Sequence, residues 1–250
     1  MTKKGILTVI SGFSGAGKGT IVRELVDRYG YAVSISATTR DPRAGEQDGV
    51  HYFFKTKEEF EQMIADGALI EYASYVDNYY GTPKDYVMQK LEQGIDVILE
   101  IEMQGALKVK ERFPEVSLIF ITPPDAKVLR ERLEGRGTET QDVIEKRLAR
   151  AAQECAYMDQ YDYIVINDDL NVCVEQIHGL IQALHWKCVN QQGQIAKMNL
   201  QIRHNLLYCK RKYYKCFNGN VCNLNSEISI DMICKIERGF LLCYIHLTQI

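Results

Sequence analysis

Gly12-Phe13-Ser14-Gly15-Ala16-Gly17-Lys18-Gly19-Thr20 is the stretch whose residue types most clearly point to chemistry. Closely spaced glycines let a backbone turn tightly and aim successive N–H groups at one oxyanion. Lys18 adds a cation able to reach the β- and γ-phosphates of a nucleotide. The strict pattern has Ser or Thr directly after the lysine. Here Gly19 intervenes, so Thr20 is the candidate Mg2+ ligand, directly or through water. An apolar run, Ile6 to Ile10, precedes the loop, and a helical pattern, Thr20 to Tyr29, follows it. A helix N-terminus contributes further positive potential. A Gly-rich turn with a chance lysine is the competing reading, and the strand–loop–helix order argues against it.

Nucleotide phosphates need an acceptor, and the next polar stretch offers candidates. Arg40 and Arg43 stand three apart in a loop with Pro42 and Gly45. Arginines form bidentate forks to phosphate and stay charged. Tyr52 and Tyr80 supply hydroxyls suited to phosphate, and Ser36 and Thr82 hydroxyls suited to a carbonyl. Glu71 can only accept when ionised. It therefore suits the guanine edge, with donors at N1 and N2, better than adenine, which has no N1–H. Taken singly, these residues also read as solvated loop charges, an exposed acid and core aromatics. Glu100, in the apolar run Val97 to Ile101, and Glu102, just after it, alternate along one strand and are expected to share one face. Buried acids cost several kcal/mol unless paired or metal-bound, and strand C-termini of α/β sheets bind ligands. Arg136 sits between Gly135 and Gly137 and is a stronger candidate than its neighbours Arg130, Arg132 and Arg150, which read as helix-surface charges. His51, His178 and His185 read as structural or exposed, and Cys155 and Cys173 as helix packing.

The elements that must position these groups follow from periodicity. Strands are expected at Ile6–Ile10, Tyr31–Ser36, Leu69–Val76, Val97–Ile101, Leu118–Ile121 and Tyr163–Ile166. Helices are expected at Thr20–Tyr29, Lys57–Ala65, Pro83 to Gln93, Asp125 (as N-cap) to Leu133, Thr138–Tyr157 and Asn171–Trp186, with a turn at Asn78–Pro83. Short apolar strands alternating with helices indicate an α/β fold: a parallel sheet flanked by helices. The polar stretch 36–88 interrupts that rhythm and reads as an inserted subdomain.

The chain has 250 residues and a formal net charge of −3, which excludes a generally basic nucleic-acid or membrane binder. No uncharged apolar run approaches the roughly 18 residues of a membrane helix. The apolar stretch after Met1-Thr2-Lys3-Lys4 is too short for a signal peptide, so a cytoplasmic location is expected. The averages conceal a split near residue 187. Six of the eight cysteines lie at or beyond Cys188, and that tail carries net +5 against −8 before it. The tail has no Pro, no C-x-x-C pair and no evident helical or alternating period. It reads as a non-catalytic segment with free thiols. Its composition also fits a reading-frame change, or read-through into AT-rich DNA, after about residue 186–200. Sequencing the gene there tests that reading.

From Gly12 to Asp169 the motifs S-x-T-T-R-x-P-R-x-G-E, I-E-Y-A, N-Y-Y-G-T-P, L-E-I-E-x-Q-G-A, E-G-R-G-T and I-V-I-N-D-D follow the phosphate loop in order. Over about two thirds of the chain this pattern resembles the guanylate kinase family. The resemblance implies a P-loop parallel sheet in 1–35 and 95–187, a GMP-binding insert at about 36–88 and a mobile lid at about 126–157. It implies that Arg40, Arg43, Tyr52 and Tyr80 hold the GMP phosphate, and that Ser36, Glu71 and Thr82 read guanine. Glu102 stands where the family often has an aspartate near the guanine amino group. Glu100 falls where Mg2+ and ordered water are held. Arg132, Arg136 and Arg147 match arginines that close over the transferring phosphoryl, and Asn167 lies near the adenine site. Donor contacts fall on Gly12, Phe13, Ser14, Gly15, Ala16, Gly17, Lys18, Gly19 and Thr20. The implied reaction is ATP + GMP ⇌ ADP + GDP, with Mg2+ as cofactor, GMP or dGMP as acceptor and no nucleic-acid or membrane partner. The alternatives are a catalytically silent interaction module of the same family, another small-molecule kinase such as an adenylate or ribose-phosphate kinase, and a chain whose tail abolishes folding or function. The tail has no counterpart in the resemblance.

Overall fold

The computed structural model describes residues 4–43, 45–75, 77–135 and 140–218. The chain divides into two units, Met1–Gly193 and Gln194–Ile250. In the first, β1 (Leu7–Gly12) leads into α1 (Lys18–Tyr29), then β2 (Ala32–Val33), β3 (Ala37–Thr38), β4 (Phe53–Phe54), α2 (Lys57–Ala65), β5 (Leu69–Tyr75) and β6 (Asn78–Pro83). There follow α3 (Lys84–Glu92), β7 (Val97–Glu100), α4 (Met103–Arg112), β8 (Ser117–Thr122), α5 (Ala126–Glu134), α6 (Gln141–Cys155), β9 (Tyr163–Ile166) and α7 (Leu170–Leu184).

Five strands form one parallel sheet in the order β2-β7-β1-β8-β9. Its central strands carry the apolar runs, and β8 is buried along its whole length, as expected where helices cover both faces. Helix α1 buries Ile21, Val22 and Leu25, and α7 buries Cys173, Val174, Ile177, Ile181 and Leu184, the spacing of one helical stripe. Local signals start the helices where the sequence places them. Asp125 Oδ1 accepts from the Val128 N–H at 2.8 Å, and Thr56 and Glu59 form a reciprocal capping box on α2.

Residues between 37 and 83 build a second sheet in the order β4-β3-β6-β5. Phe60 of α2 stacks on Tyr79 at 5.2 Å and, with Ala37 and Leu69, forms a small core beneath it. Two expectations are corrected here. The strand expected over Tyr31–Ser36 is split: only Ala32–Val33 pairs in the parallel sheet, and the chain then crosses to β3. The turn expected at Asn78–Pro83 is a strand, β6, antiparallel to both β3 and β5. Its Gly81 is a close-approach residue, because a Cβ there would lie 2.8 Å from the Glu71 carbonyl oxygen. The reversal itself falls one residue earlier, where Asp77 takes a φ of 62°.

A buried polar joint ties the two ends of this unit's sequence together. Asp96, just before β7, accepts from the Ile6 N–H at 2.8 Å, and its carboxylate lies 2.9 Å from Nε2 of His185, just after α7. His185 is buried. Replacing Asp96 with Ala leaves both groups without that acceptor and is expected to cost about 3 kcal/mol of unfolding free energy. Urea denaturation measures this, and a loss below ~0.5 kcal/mol would contradict the assignment.

Cys173 is buried, but Cys155, expected to pack, is exposed. In the tail the absence of a helical period also misleads, since α8 runs over Gln192–Asn218. Its Gln, Lys, Leu, Met and Arg residues are good helix formers, and no proline interrupts it. Among the described residues no helix is long and apolar enough to cross a membrane.

Candidate active site

The glycine loop lies between the C-terminal end of β1 and the first turn of α1. Gly17 has a φ of 91°, and a Cβ there would fall 2.5 Å from Nδ2 of Asn167, so both backbone and space demand glycine. Asn167 Nδ2 donates to the Ala16 carbonyl at 2.8 Å, and Arg132 Nη2 donates to the Asn167 carbonyl at 2.8 Å. The loop is thus braced from the far end of β9. Phe13 anchors it below, edge-on to Phe120 with ring centroids 5.0 Å apart. Lys18 lies across the loop, its Nζ donating to the carbonyls of Gly12 at 2.8 Å and Phe13 at 3.1 Å. Arg147, reaching over from α6, donates to Ser14 Oγ. Arg136 lies outside the described residues.

Thr20 is exposed on the first turn of α1. Glu100 ends β7 at the same mouth, its carboxylate 3.8 Å from where a Gly19 Cβ would stand. The side chain is reachable by solvent, yet protein surrounds it closely enough that burial pushes its carboxyl above the usual range, with Lys18 pulling the other way. Glu102 does not continue that strand. β7 stops at Glu100, and Glu102 takes the N-cap position of α4, its carboxylate 2.6 Å from Arg150 Nη2. The expectation of two acids alternating on one strand is therefore corrected.

The second sheet gathers the other candidates. Thr38 of β3 pairs with Tyr80 and Ala37 with Gly81, a register that sets Ser36 beside Thr82. Thr82 Oγ1 donates to Glu71 Oε1 at 2.8 Å. Glu71 is 7% exposed, and burial raises its carboxyl above the usual range despite the Thr82 hydrogen bond and the charge of Lys108. Its other oxygen lies 3.3 Å from where a Gly105 Cβ would project, so α4 meets this carboxylate with a glycine. Tyr80 and Thr82, two residues apart on β6, share one strand face about 7 Å apart.

Around Tyr80 the chemistry changes from acceptor to donor. The Arg40 guanidinium sits 5.4 Å from the Tyr52 ring centroid, and the Tyr52 and Tyr80 rings meet edge-on. Glu46, whose role the sequence did not disclose, accepts from Arg40 Nη2 at 2.9 Å and 3.0 Å and from the Arg43 backbone N–H at 2.7 Å. That clamp holds the Arg40 guanidinium above its usual range and folds the loop so that Arg40 and Arg43 stem from one turn. The Arg43 residue itself is exposed.

The structure therefore brings Lys18, Ser14, Arg147 and Asn167 together at the loop, Ser36, Glu71 and Thr82 at one end of β6, and Arg40, Tyr52 and Tyr80 beside them. Arg150 and Glu154 join Glu102, a grouping hidden in the sequence, where Arg150 reads as a helix-surface charge. Among the described residues no group of three or more His, Cys, Asp or Glu side chains converges on one metal position.

A family model described as guanylate kinase matches residues 4–184. A guanylate kinase of Streptococcus mutans is 48% identical over 200 residues, 79% of this chain and 95% of that one. One from Caldanaerobacter subterraneus subsp. tengcongensis is 54% identical over 182 residues, 72% of this chain and 88% of that one. The crystal structure of guanylate kinase from Anaplasma phagocytophilum superposes with a TM-score of 0.59 at 32% identity, covering 74% of this chain and 89% of that one. On the phosphate loop, the two-sheet architecture and these likenesses together, the chain belongs to the guanylate kinase family.

Proposed function

We propose that the chain transfers the γ-phosphoryl group of ATP to GMP, or to dGMP, giving ADP and GDP. The observation that carries this reading is Glu71, a buried carboxylate that accepts from Thr82 and retains acceptor capacity at its second oxygen, beside Gly105. Guanine offers adjacent N1 and N2 donors to such a group. Adenine would leave it unpaired, a mismatch worth orders of magnitude in selectivity.

Positioning and charge neutralisation carry the reaction. Gly12, Phe13, Ser14, Gly15, Ala16, Gly17 and Gly19 present backbone to the donor phosphates, with Lys18 as their cation. Asn167 braces the loop next to the expected adenine site. Arg40, Arg43, Tyr52 and Tyr80 hold the acceptor phosphate, one oxygen of which attacks the γ-phosphorus in line. Ser36, Glu71, Thr82 and Glu102 read the base. Arg147, with Arg136, neutralises charge on the transferring group as residues 126–157 close and exclude water.

The donor set at the loop mouth fits Mg2+. This ion prefers hard oxygens, keeps several waters and takes one or two protein ligands beside phosphate oxygens. Glu100, solvent-accessible at the loop mouth and within the field of Lys18, and Thr20 would hold it. Bound there, it supplies neutralisation of phosphate charge.

An ADP-release assay on the full chain tests the reading. GMP, dGMP, AMP, UMP and ribose bisphosphate are offered separately with ATP and Mg2+. Turnover confined to the guanine nucleotides is expected. Silence from a folded protein, with GMP still bound, would instead support the non-catalytic interaction module.

A further inference from the structure

Arg150, three residues after Arg147 on α6, divides its guanidinium between two acids. Nε donates to Glu154 Oε1 at 3.1 Å, and Nη2 donates to Glu102 Oε2 at 2.6 Å. The two acids differ sharply in setting. The Glu154 side chain is 10% exposed and that of Glu102 is 73% exposed. Burial pushes the Glu154 carboxyl up, and Arg150 leads the groups that oppose it, ahead of Lys18. A buried acid one turn further along the same helix is a fixed brace for the guanidinium. Exposed Glu102 is the member with rotamers to lose, and holding it in one pose carries an entropic cost that a partner must offset.

The consequence lies in what one turn of α6 touches. Arg147 donates to Ser14 on the donor loop, while Arg150 holds one oxygen of Glu102 at the head of α4. Among the described residues, the other Glu102 oxygen has no hydrogen bond, so it retains acceptor capacity. Gly105, three residues further along α4, abuts the carboxylate of Glu71 from β5, so the end of α4 that starts at Glu102 also meets Glu71.

We propose that Arg150 is a positioning residue for the acceptor: braced by Glu154, it orients Glu102 toward the exocyclic amino group of a bound guanine nucleotide and ties that contact to the helix bearing Arg147. The proposal rests on the GMP-kinase reading of the site. Arg150 touches neither the phosphoryl group nor the donor, so its removal acts on acceptor affinity.

The test uses the full-length chain as wild type, Arg150→Ala, Arg150→Lys, Glu154→Gln, Glu102→Gln and the Arg150→Ala/Glu102→Gln double variant. KM for GMP, KM for ATP, kcat and melting temperature are measured for each. Arg150→Ala is expected to raise KM for GMP about threefold to tenfold, the scale of a partly exposed ion pair. KM for ATP and kcat should stay within about twofold, with melting temperature unchanged. Glu154→Gln should move KM for GMP the same way by less, and Arg150→Lys should recover part of the loss. In the Glu102→Gln background, Arg150→Ala should have no further effect. An active wild type whose KM for GMP is indifferent to Arg150→Ala overturns the proposal alone. A joint rise in both KM values with a lower melting temperature also overturns it, by marking Arg150 as merely structural. A wild type that does not turn over GMP overturns the underlying reading and this proposal with it.

Discussion

Glu71→Gln is expected to raise the melting temperature of the protein while lowering kcat/KM for GMP about a thousandfold. Both effects come from one buried group. Burial holds the Glu71 carboxyl above the usual range in the folded chain, against a partial offset from Thr82. A carboxyl raised in the folded state binds its proton more tightly there than in the unfolded chain. Stability is therefore lost as pH rises from the unfolded value through the raised one, and above that range the ionised acid weakens the fold. Glutamine keeps an oxygen for the Thr82 hydroxyl and removes the buried charge. It also turns an amide donor toward the N1 and N2 donors of guanine, so recognition fails. The melting-temperature gain should shrink as pH falls below the ordinary carboxylate range, where wild-type Glu71 is neutral in both states. Differential scanning fluorimetry across pH, alongside kinetics, reads both effects. Retention of GMP turnover within about tenfold would remove Glu71 from the base site.

Lys18→Ala is expected to lower kcat by about a thousandfold or more while leaving the fold and GMP affinity in place. Lys18 Nζ is held by two carbonyls of its own loop, so the cation stands at the mouth before any ligand arrives. Such preorganised charge needs no rearrangement as phosphate charge shifts in the transition state. Its loss should not reach Arg40, Tyr52, Tyr80, Glu71 and Thr82, which lie on or beside the other sheet. Single-turnover kinetics with saturating ATP isolates the chemical step. A kcat within about tenfold of wild type would show that Lys18 does not act on the transferring group.

How much of this could be read in advance varies with the kind of interaction. The loop was legible because glycines, lysine and flanking periodicity all lie within one local stretch. Asp125 was legible for the same reason, since a cap acts over three residues. Asn78–Pro83 misled because Asn, Gly and Pro are turn formers, whereas here tertiary pairing on both edges makes a strand. Arg150 misled in another way: an arginine on a charged helix looks like a solvated surface charge. Only packing against the rest of the fold buries Glu154. Glu46 went unread, and Asn167 was read without its partner, because those partners, an arginine fork and a loop carbonyl, depend on how the chain folds back. The recognition chemistry of Glu71 was readable from residue type, but its burial and its Thr82 partner came from the β5–β6 register.

The most direct measurement follows the phosphoryl group itself. The full chain is incubated with γ-labelled ATP, Mg2+ and GMP, and the products are separated. One label in GDP for each ADP formed is predicted, with no labelled inorganic phosphate above the level seen without GMP. Label released to inorganic phosphate while GMP is bound, or left in ATP by a folded protein, would contradict transfer to GMP as the reaction of this chain.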